Sequence, residues 1–329
     1  MSSATESKLS KALIGAVLAM GVAAGLGGIL YNRVAASPAS AMVTILFVGA
    51  LAMIVSRFGR DLGKAPVSAW IGFTVIVIYL FVAAAAPIIS PYGEAEIVGG
   101  QYEPWSDAFL LGTDNLGRDM LSRVIYGARN TVLIAIGITV LAFIIGGVTG
   151  LFSAASGGWI DTLLGRIVDM LMAIPQLIFA LLILTIFGTS VTVLVTTIAV
   201  LDATRIYRLV RSAAMNILVL EFVEAAKLRG EGFWWIVGRE VVPNIIAPLA
   251  VDFGIRFCFV FLFISSLSFL GVGIKPPTAD WGSMLRDNAT LVSYGDITPL
   301  IPAAAISILA VSVNLVVDWF LHKTSGLKQ

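Results

Sequence analysis

Charge is scarce in this sequence: 12% of its 329 residues are Asp, Glu, Lys or Arg, against roughly 25% in an ordinary soluble domain. That excludes a soluble enzyme. The charges nearly cancel, with 21 Lys and Arg against 20 Asp and Glu. A net charge of +1 excludes a nucleic-acid binder, which needs a basic stripe or patch to neutralise phosphates. A single cysteine, Cys258, excludes an internal disulfide framework, and its apolar surroundings, without Cys or His, give no zinc site. The single histidine, His322, stands at the end of the last apolar run. It gives no support to a Ser-His-Asp site and reads as an interfacial side chain. No G-x-x-x-x-G-K-S/T segment occurs, since Gly63-Lys64 lacks the rest, so the chain has no loop of that kind to cradle nucleotide phosphates.

Apolar residues are abundant: 58% are hydrophobic, 32 more are glycine, and the mean hydropathy is +0.97. A helix rising 1.5 Å per residue needs about 20 such residues to cross roughly 30 Å of hydrocarbon. Eight stretches fit, at 12–30, 41–57, 69–89, 129–153, 166–188, 190–209, 244–272 and 297–321. The fold class is therefore all-α integral membrane, with about eight transmembrane helices. Placing both termini in the cytoplasm puts 14 of the 21 Lys and Arg there and 6 outside, the asymmetry expected of an N-in, C-in chain. The connection 90–128, with Glu94, Glu96, Glu103, Asp107, Asp114 and Asp119, then lies outside. Lys8 and Lys11 before an apolar, small-residue run also fit a secretory signal peptide. Cleavage there would leave the other spans unchanged.

Charges inside spans are costly, so each calls for a partner. Asp169, Asp202 and Asp318 fall near cytoplasmic ends, where side chains reach water or headgroups. Asp252 and Arg256, spaced i, i+4, can pair on one helix face, as a structural ion pair or a solute contact. Pro175 in the fifth span and Gly271 at the end of the seventh are expected bends.

The connection 205–243 is the most patterned. Glu221, Glu224, Ala225, Ala226, Lys227, Leu228 and Arg229 favour a helix that Gly230 and Gly232 interrupt. Phe233 to Val237 supply an apolar, aromatic second part suited to an interface, and Pro243 precedes the next span. The series Glu224-Ala225-Ala226, three residues, Gly230, twelve residues and Pro243 resembles the EAA loop of membrane subunits of ATP-binding-cassette (ABC) importers. In that family the loop is a coupling helix that docks on the ATPase subunit. On that resemblance the coupling residues are Glu221, Glu224, Ala225, Ala226, Lys227, Gly230 and Pro243. An amphipathic interfacial helix of purely structural role is the bland alternative.

Two external segments extend the resemblance to permeases of the dipeptide/oligopeptide/nickel group, C-type subunit. One runs from Leu111 to Leu133 and carries Gly112, Thr113, Asp114, Gly117, Arg118 and Asp119. The other runs from Phe269 to Leu285 and carries Trp281 and Gly282. Locally, Thr113-Asp114 opens a turn, while Arg118, Asp119 and Arg123 can make charge-assisted bonds across the segment. Trp281-Gly282 reads as an interfacial anchor followed by a turn.

The resemblance covers about residues 69–321. It implies a six-helix type I importer core over 69–329, with external loop 90–128 and coupling loop 210–243, preceded by an extension, 1–68, with two more helices. It implies a bacterial inner-membrane permease for di- or oligopeptides, or for opines, glutathione or nickel. The implied partners are a second, B-type permease, two ATP-binding subunits that hold ATP and Mg, and a periplasmic solute-binding protein. No catalytic residue, metal site or cofactor is expected in this chain. Ile264-Ser265 before the SLSFLG run and Arg229 before Gly230 depart from the family's commoner residues, which weakens any carry-over of substrate. An ion-coupled secondary carrier is the rival of another class, although no acidic or histidine relay near midplane supports it.

Overall fold

The structure, a computed structural model, describes residues 65–325 and is helical almost throughout. The expected spans at 12–30 and 41–57 lie outside the described residues. The long helices are α1 (Val67–Ile89), α2 (Met120–Ser156), α3 (Gly158–Ala173), α4 (Gln176–Phe187) and α5 (Val191–Leu218). After them come α6 (Glu221–Leu228), α7 (Phe233–Ile236), a π turn (Val237–Val241), α8 (Val242–Phe269), α9 (Trp281–Asn288), a 3-10 turn (Ala289–Tyr294) and α10 (Leu300–Ser325).

The core is built on α2 and α5. Ala142, Gly146 and Gly150 recur every fourth residue along one face of α2 and are buried. A Cβ at Gly146 would stand 2.5 Å from the Ala203 carbonyl oxygen, and one at Gly150 would stand 2.8 Å from that of Tyr207. The two backbones therefore touch, the small-residue packing that joins helices where no hydrophobic drive separates them from lipid. Both contacts advance in the same sense, 146 to 203 and 150 to 207, so α2 and α5 run parallel. The segment between them must then return along their length, which α3 and α4 do. Around this pair, α10 runs antiparallel to α1, with the Tyr79 hydroxyl donating to the Ala305 carbonyl at 3.0 Å and Gly72 against Ser312. It also runs antiparallel to α8, with Gly254 against Val317 and Cys258 beside Ala310.

Among the described residues, four helical runs are long and apolar enough to cross a membrane: Val67–Ile89, Met120–Ser156, Phe233–Phe269 and Leu300–Lys323. The expected span at 166–188 is not one straight helix but the pair α3 and α4, bent by 87°, which makes a fifth crossing if the pair is one span. The break is at the expected proline. Pro175 removes a backbone donor and drives Ile174 to φ −91°, ψ 130°, out of the helical region. Helix α5 covers the expected span 190–209 but continues to Leu218, and Asp202, Arg205 and Arg208 make it too charged to stand with the other four. Asp202 is consequently not near the end of its helix, being 16 residues from Leu218, or about 24 Å at 1.5 Å per residue.

Two further expectations change. Pro243 does not merely precede a span, because the run from Phe233 to Phe269 is continuous through it. The π turn Val237–Val241 immediately before it widens the helix where the proline ring would otherwise press on the preceding turn. Gly271 marks an end rather than a bend. Its φ of 87° closes α8, with Val272 N donating to Leu267 O at 3.0 Å and Gly271 N to Ser268 O at 3.0 Å, a left-handed cap.

Candidate functional site

Helix α2 ends in two different structures 37 residues apart, or about 55 Å of helix. At its C-terminal end, Phe152 meets Phe233 edge-on at 6.2 Å, next to the patterned loop. At its N-terminal end it enters a hydrogen-bonded cap.

The loop is a short helix turned outward. Glu221 and Glu224 in the first turn of α6 and Lys227 in its last turn complement the helix dipole. Val223 and Ala226 are fully buried and fasten α6 to the body, whereas Glu221, Glu224, Ala225, Lys227 and Leu228 are exposed. The two alanines of the series therefore differ: Ala226 packs within this chain and Ala225 faces outward. Glu221, Glu224 and Lys227 have no ion-pair or hydrogen-bond partner through their side chains among the described residues. Gly230, at φ 80°, stops the helix. Glu231 N donates to Ala226 O at 3.2 Å and Gly230 N to Lys227 O at 3.0 Å, a cap that needs a left-handed residue at this position. The aromatic part is clamped by cations, since the guanidinium groups of Arg229 and Arg239 lie 5.9 and 5.8 Å from the Trp235 ring. Val219, Leu228 and Trp234 are 80, 85 and 73% exposed, an apolar group at the tip beside free charges.

The cap gathers the external residues singled out by sequence. Gly112 and Gly117 take φ 70° and 77°. Thr113 Oγ1 donates to Gly100 O at 2.7 Å and accepts from Glu103 N at 2.8 Å. Asp114 is the hub: Oδ1 accepts from Leu116 N at 2.9 Å and Arg118 N at 3.0 Å, and Oδ2 accepts from Arg118 Nε at 2.8 Å. Arg123 Nε lies 3.3 Å from the same oxygen, an ion pair not aligned as a hydrogen bond. Asp114, Arg118 and Arg123 are all buried, so these charges brace the loop and do not face solvent. Asp119 caps α2, accepting from Ser122 N at 2.8 Å and Ser122 Oγ at 2.6 Å.

Trp281 corrects its expected role. It is buried, opens α9, donates from Nε1 to Val124 O at 3.0 Å, and meets Tyr79 and Phe261 edge-on at 5.8 and 6.1 Å. An interfacial anchor would show its ring to the headgroups, and this ring is surrounded by protein. Gly282 lies inside α9 and not in a turn. Sequence reasoning missed the residues that join the two external segments. Glu94 Oε2 accepts from Asn130 Nδ2 at 2.9 Å and Ala279 N at 3.1 Å, and Arg123 Nη1 donates to Glu94 O at 2.8 Å. Asp280 accepts from Thr131 Oγ1 at 3.0 Å and Ser283 N at 2.9 Å. Burial pushes the Asp280 carboxyl above the usual carboxylate range, against the pull of those donors. Their separation in sequence left no local pattern to find them by.

The arrangement is mechanical: a hydrogen-bonded cap at one end, a core with small-residue contacts, and at the other end a tip whose Glu221, Glu224 and Lys227 are unpaired among the described residues beside exposed apolar groups. Residues 142–323 match the family described as binding-protein-dependent transport system inner membrane component. A dipeptide transport system permease protein DppC of Haemophilus influenzae is 34% identical over 257 residues, covering 76% of this chain and 87% of that protein. The chain belongs to this family. The di/tripeptide transport system permease protein DppC of Pseudomonas aeruginosa is 33% identical, covering 75% of this chain and 84% of that protein. A dipeptide permease DppC of Alkalihalophilus pseudofirmus is 31% identical, covering 75% and 82%. The protein is accordingly a multi-pass inner-membrane permease of binding-protein-dependent ABC transport, a subunit without an ATPase site of its own. Membership implies ATPase and binding-protein partners, and it indicates no cofactor in the permease itself.

Proposed function

We propose that this permease is the C-type subunit of an importer for short peptides, paired with a B-type permease, two ATP-binding subunits and a periplasmic binding protein. In this reading residues 69–329 form a six-helix core, with both chain termini cytoplasmic, external loop 90–128 and coupling loop 210–243. The extension 1–68 adds two helices. The sixth crossing is α5: it lies parallel to α2 with backbone contact, so a membrane that holds one holds the other. ATP and Mg sit in the partner ATPases. Their closure pushes on the coupling helix, residues 221–232, and the push reaches the body through Val223, Ala226 and the continuous helix α5 above them. Rocking of the core about this lever alternates access to a path between the two permeases.

The observation that carries the proposal is the tip itself. A helix held by two buried residues presents Glu221, Glu224 and Lys227 unpaired beside exposed Leu228 and Trp234, a surface suited to a protein groove rather than to water. The peptide class is supported by the three relatives named above, which are dipeptide or di/tripeptide permeases. Purification of the tagged subunit in mild detergent tests the assembly. The expected result is recovery of ATPase subunits and a second permease, with the ATPases lost when Glu224 and Leu228 are both replaced by Arg. Recovery of the permease alone, stably folded, would contradict it.

A further inference from the structure

Arg256 lies within the apolar run Phe233–Phe269, 13 residues from its end at Phe269, or about 20 Å of helix, where a charge is costly in a bilayer. It is the only Lys or Arg between Val242 and Phe269. Its side chain is 18% exposed, that of Asp252 one turn earlier 14%, and that of Arg205 on α5 39%. Charged groups at this depth do not face acyl chains, so this face of α5 and α8 looks onto water or protein.

The guanidinium is held but not saturated. Arg256 Nε donates to Asp252 Oδ2 at 3.2 Å, while Nη1 remains 3.9 Å from Asp202 Oδ1, too far for a hydrogen bond. Asp202 is buried, and its Oδ2 has no hydrogen-bond partner among the described residues. Among the described residues this one Arg256 bond, from a group with five donors, leaves the planar Nη1/Nη2 edge without a hydrogen bond, the edge whose geometry matches a carboxylate in two parallel bonds. The apolar Phe259, 56% exposed, lies three residues on along the same helix. The cluster also bridges α5 and α8, the two helices that flank the coupling loop.

We propose that Arg256 lines the translocation path and receives a carboxylate of the transported solute, with Asp252 and Asp202 as positioning residues that hold the guanidinium fork toward the path. The proposal rests on the peptide-import reading, since short peptides carry such a carboxylate. It makes Arg256 a determinant of which solutes pass, additional to selection by the binding protein.

The test uses the complete transporter reconstituted in vesicles with its binding protein. Replacing Arg256→Gln, at wild-type yield of assembled complex, is expected to lower dipeptide uptake by about tenfold or more, the loss of a charge-assisted contact. Arg256→Lys, which keeps the charge but not the fork, is expected to retain a larger part. In a Cys258→Ala background, an Arg256→Cys variant is expected to react with a membrane-impermeant sulfonate-bearing thiosulfonate, which needs water to reach the thiol. Undiminished uptake by Arg256→Gln overturns the proposal. So does a thiol that, with the impermeant reagent applied to both faces of the membrane, reacts with it on neither, which indicates lipid or a closed protein contact. If the wild-type complex takes up no dipeptide, the peptide reading fails by itself, and the labelling still decides whether Arg256 faces an aqueous path.

Discussion

A Gly230→Trp permease is expected to insert and assemble yet take up solute at less than a tenth of the wild-type rate. Gly230 holds φ at 80°, where a residue with a Cβ is strained by about 1–2 kcal/mol. No atom approaches within 4 Å of a Cβ built there, so the cost comes from the backbone and not from a clash in the body. Relief requires undoing the Glu231 to Ala226 and Gly230 to Lys227 bonds, which swings α6 and its capping residue Arg229 away from Trp235. The buried contacts of α2 with α5 and of α10 with α1 and α8 do not involve this turn. Uptake and ATP hydrolysis measured together on the reconstituted complex check the point: hydrolysis that continues while uptake collapses is uncoupling. A variant with normal uptake would remove the coupling role from this loop.

Asp114→Ala is expected to cost the outer cap about 3–5 kcal/mol. Asp114 is 2% exposed and faces two buried guanidinium groups, with Arg118 Nη2 at 2.7 Å and Arg123 Nε at 3.3 Å. Truncating the carboxylate leaves both cations buried with the acceptor gone, and removes the acceptor for the N–H groups of Leu116 and Arg118. The melting temperature in detergent should fall by about 10 °C. Asp114→Asn, which keeps an acceptor without the charge, should fall by less. Equal stability of the alanine variant would mean that the charges are hydrated and the cap open. Since Arg123 also reaches Glu94 O and Pro277 O, loss of Asp114 should loosen both external segments together.

The parts of this structure that were readable in the sequence were those set by local rules. Hydropathy located α1, α2, α8 and α10 because each carries its apolar run unbroken. Gly230 and the helix before it were readable because a left-handed terminus and helix-forming residues leave a local pattern. Pro175 was readable as a bend for the same reason, although its size, 87°, depends on what packs around it. Helix α5 was cut short because Arg205, Arg208 and Arg211 suggest a membrane exit; the helix instead runs on to Leu218, with Arg211 paired to Asp161 and Arg208 to Asp169 on α3. Trp281 was misread for a related reason: Trp near a span end is usually interfacial, and only the fold brings Gly127, Tyr79 and Phe261 around it. The Asp252–Arg256 pair follows from helical spacing, whereas Asp202, fifty residues earlier, enters only when α5 meets α8.

The central claim is that partner ATPases drive solute through this permease by way of the α6 tip. The most direct measurement is dipeptide uptake into vesicles carrying the complete complex, with binding protein outside and either ATP inside or an imposed ion gradient without ATP. Uptake that requires ATP, follows its hydrolysis and ignores the gradient is the predicted result. Uptake driven by the gradient alone, indifferent to ATP, would contradict the account and make the protein an ion-coupled carrier.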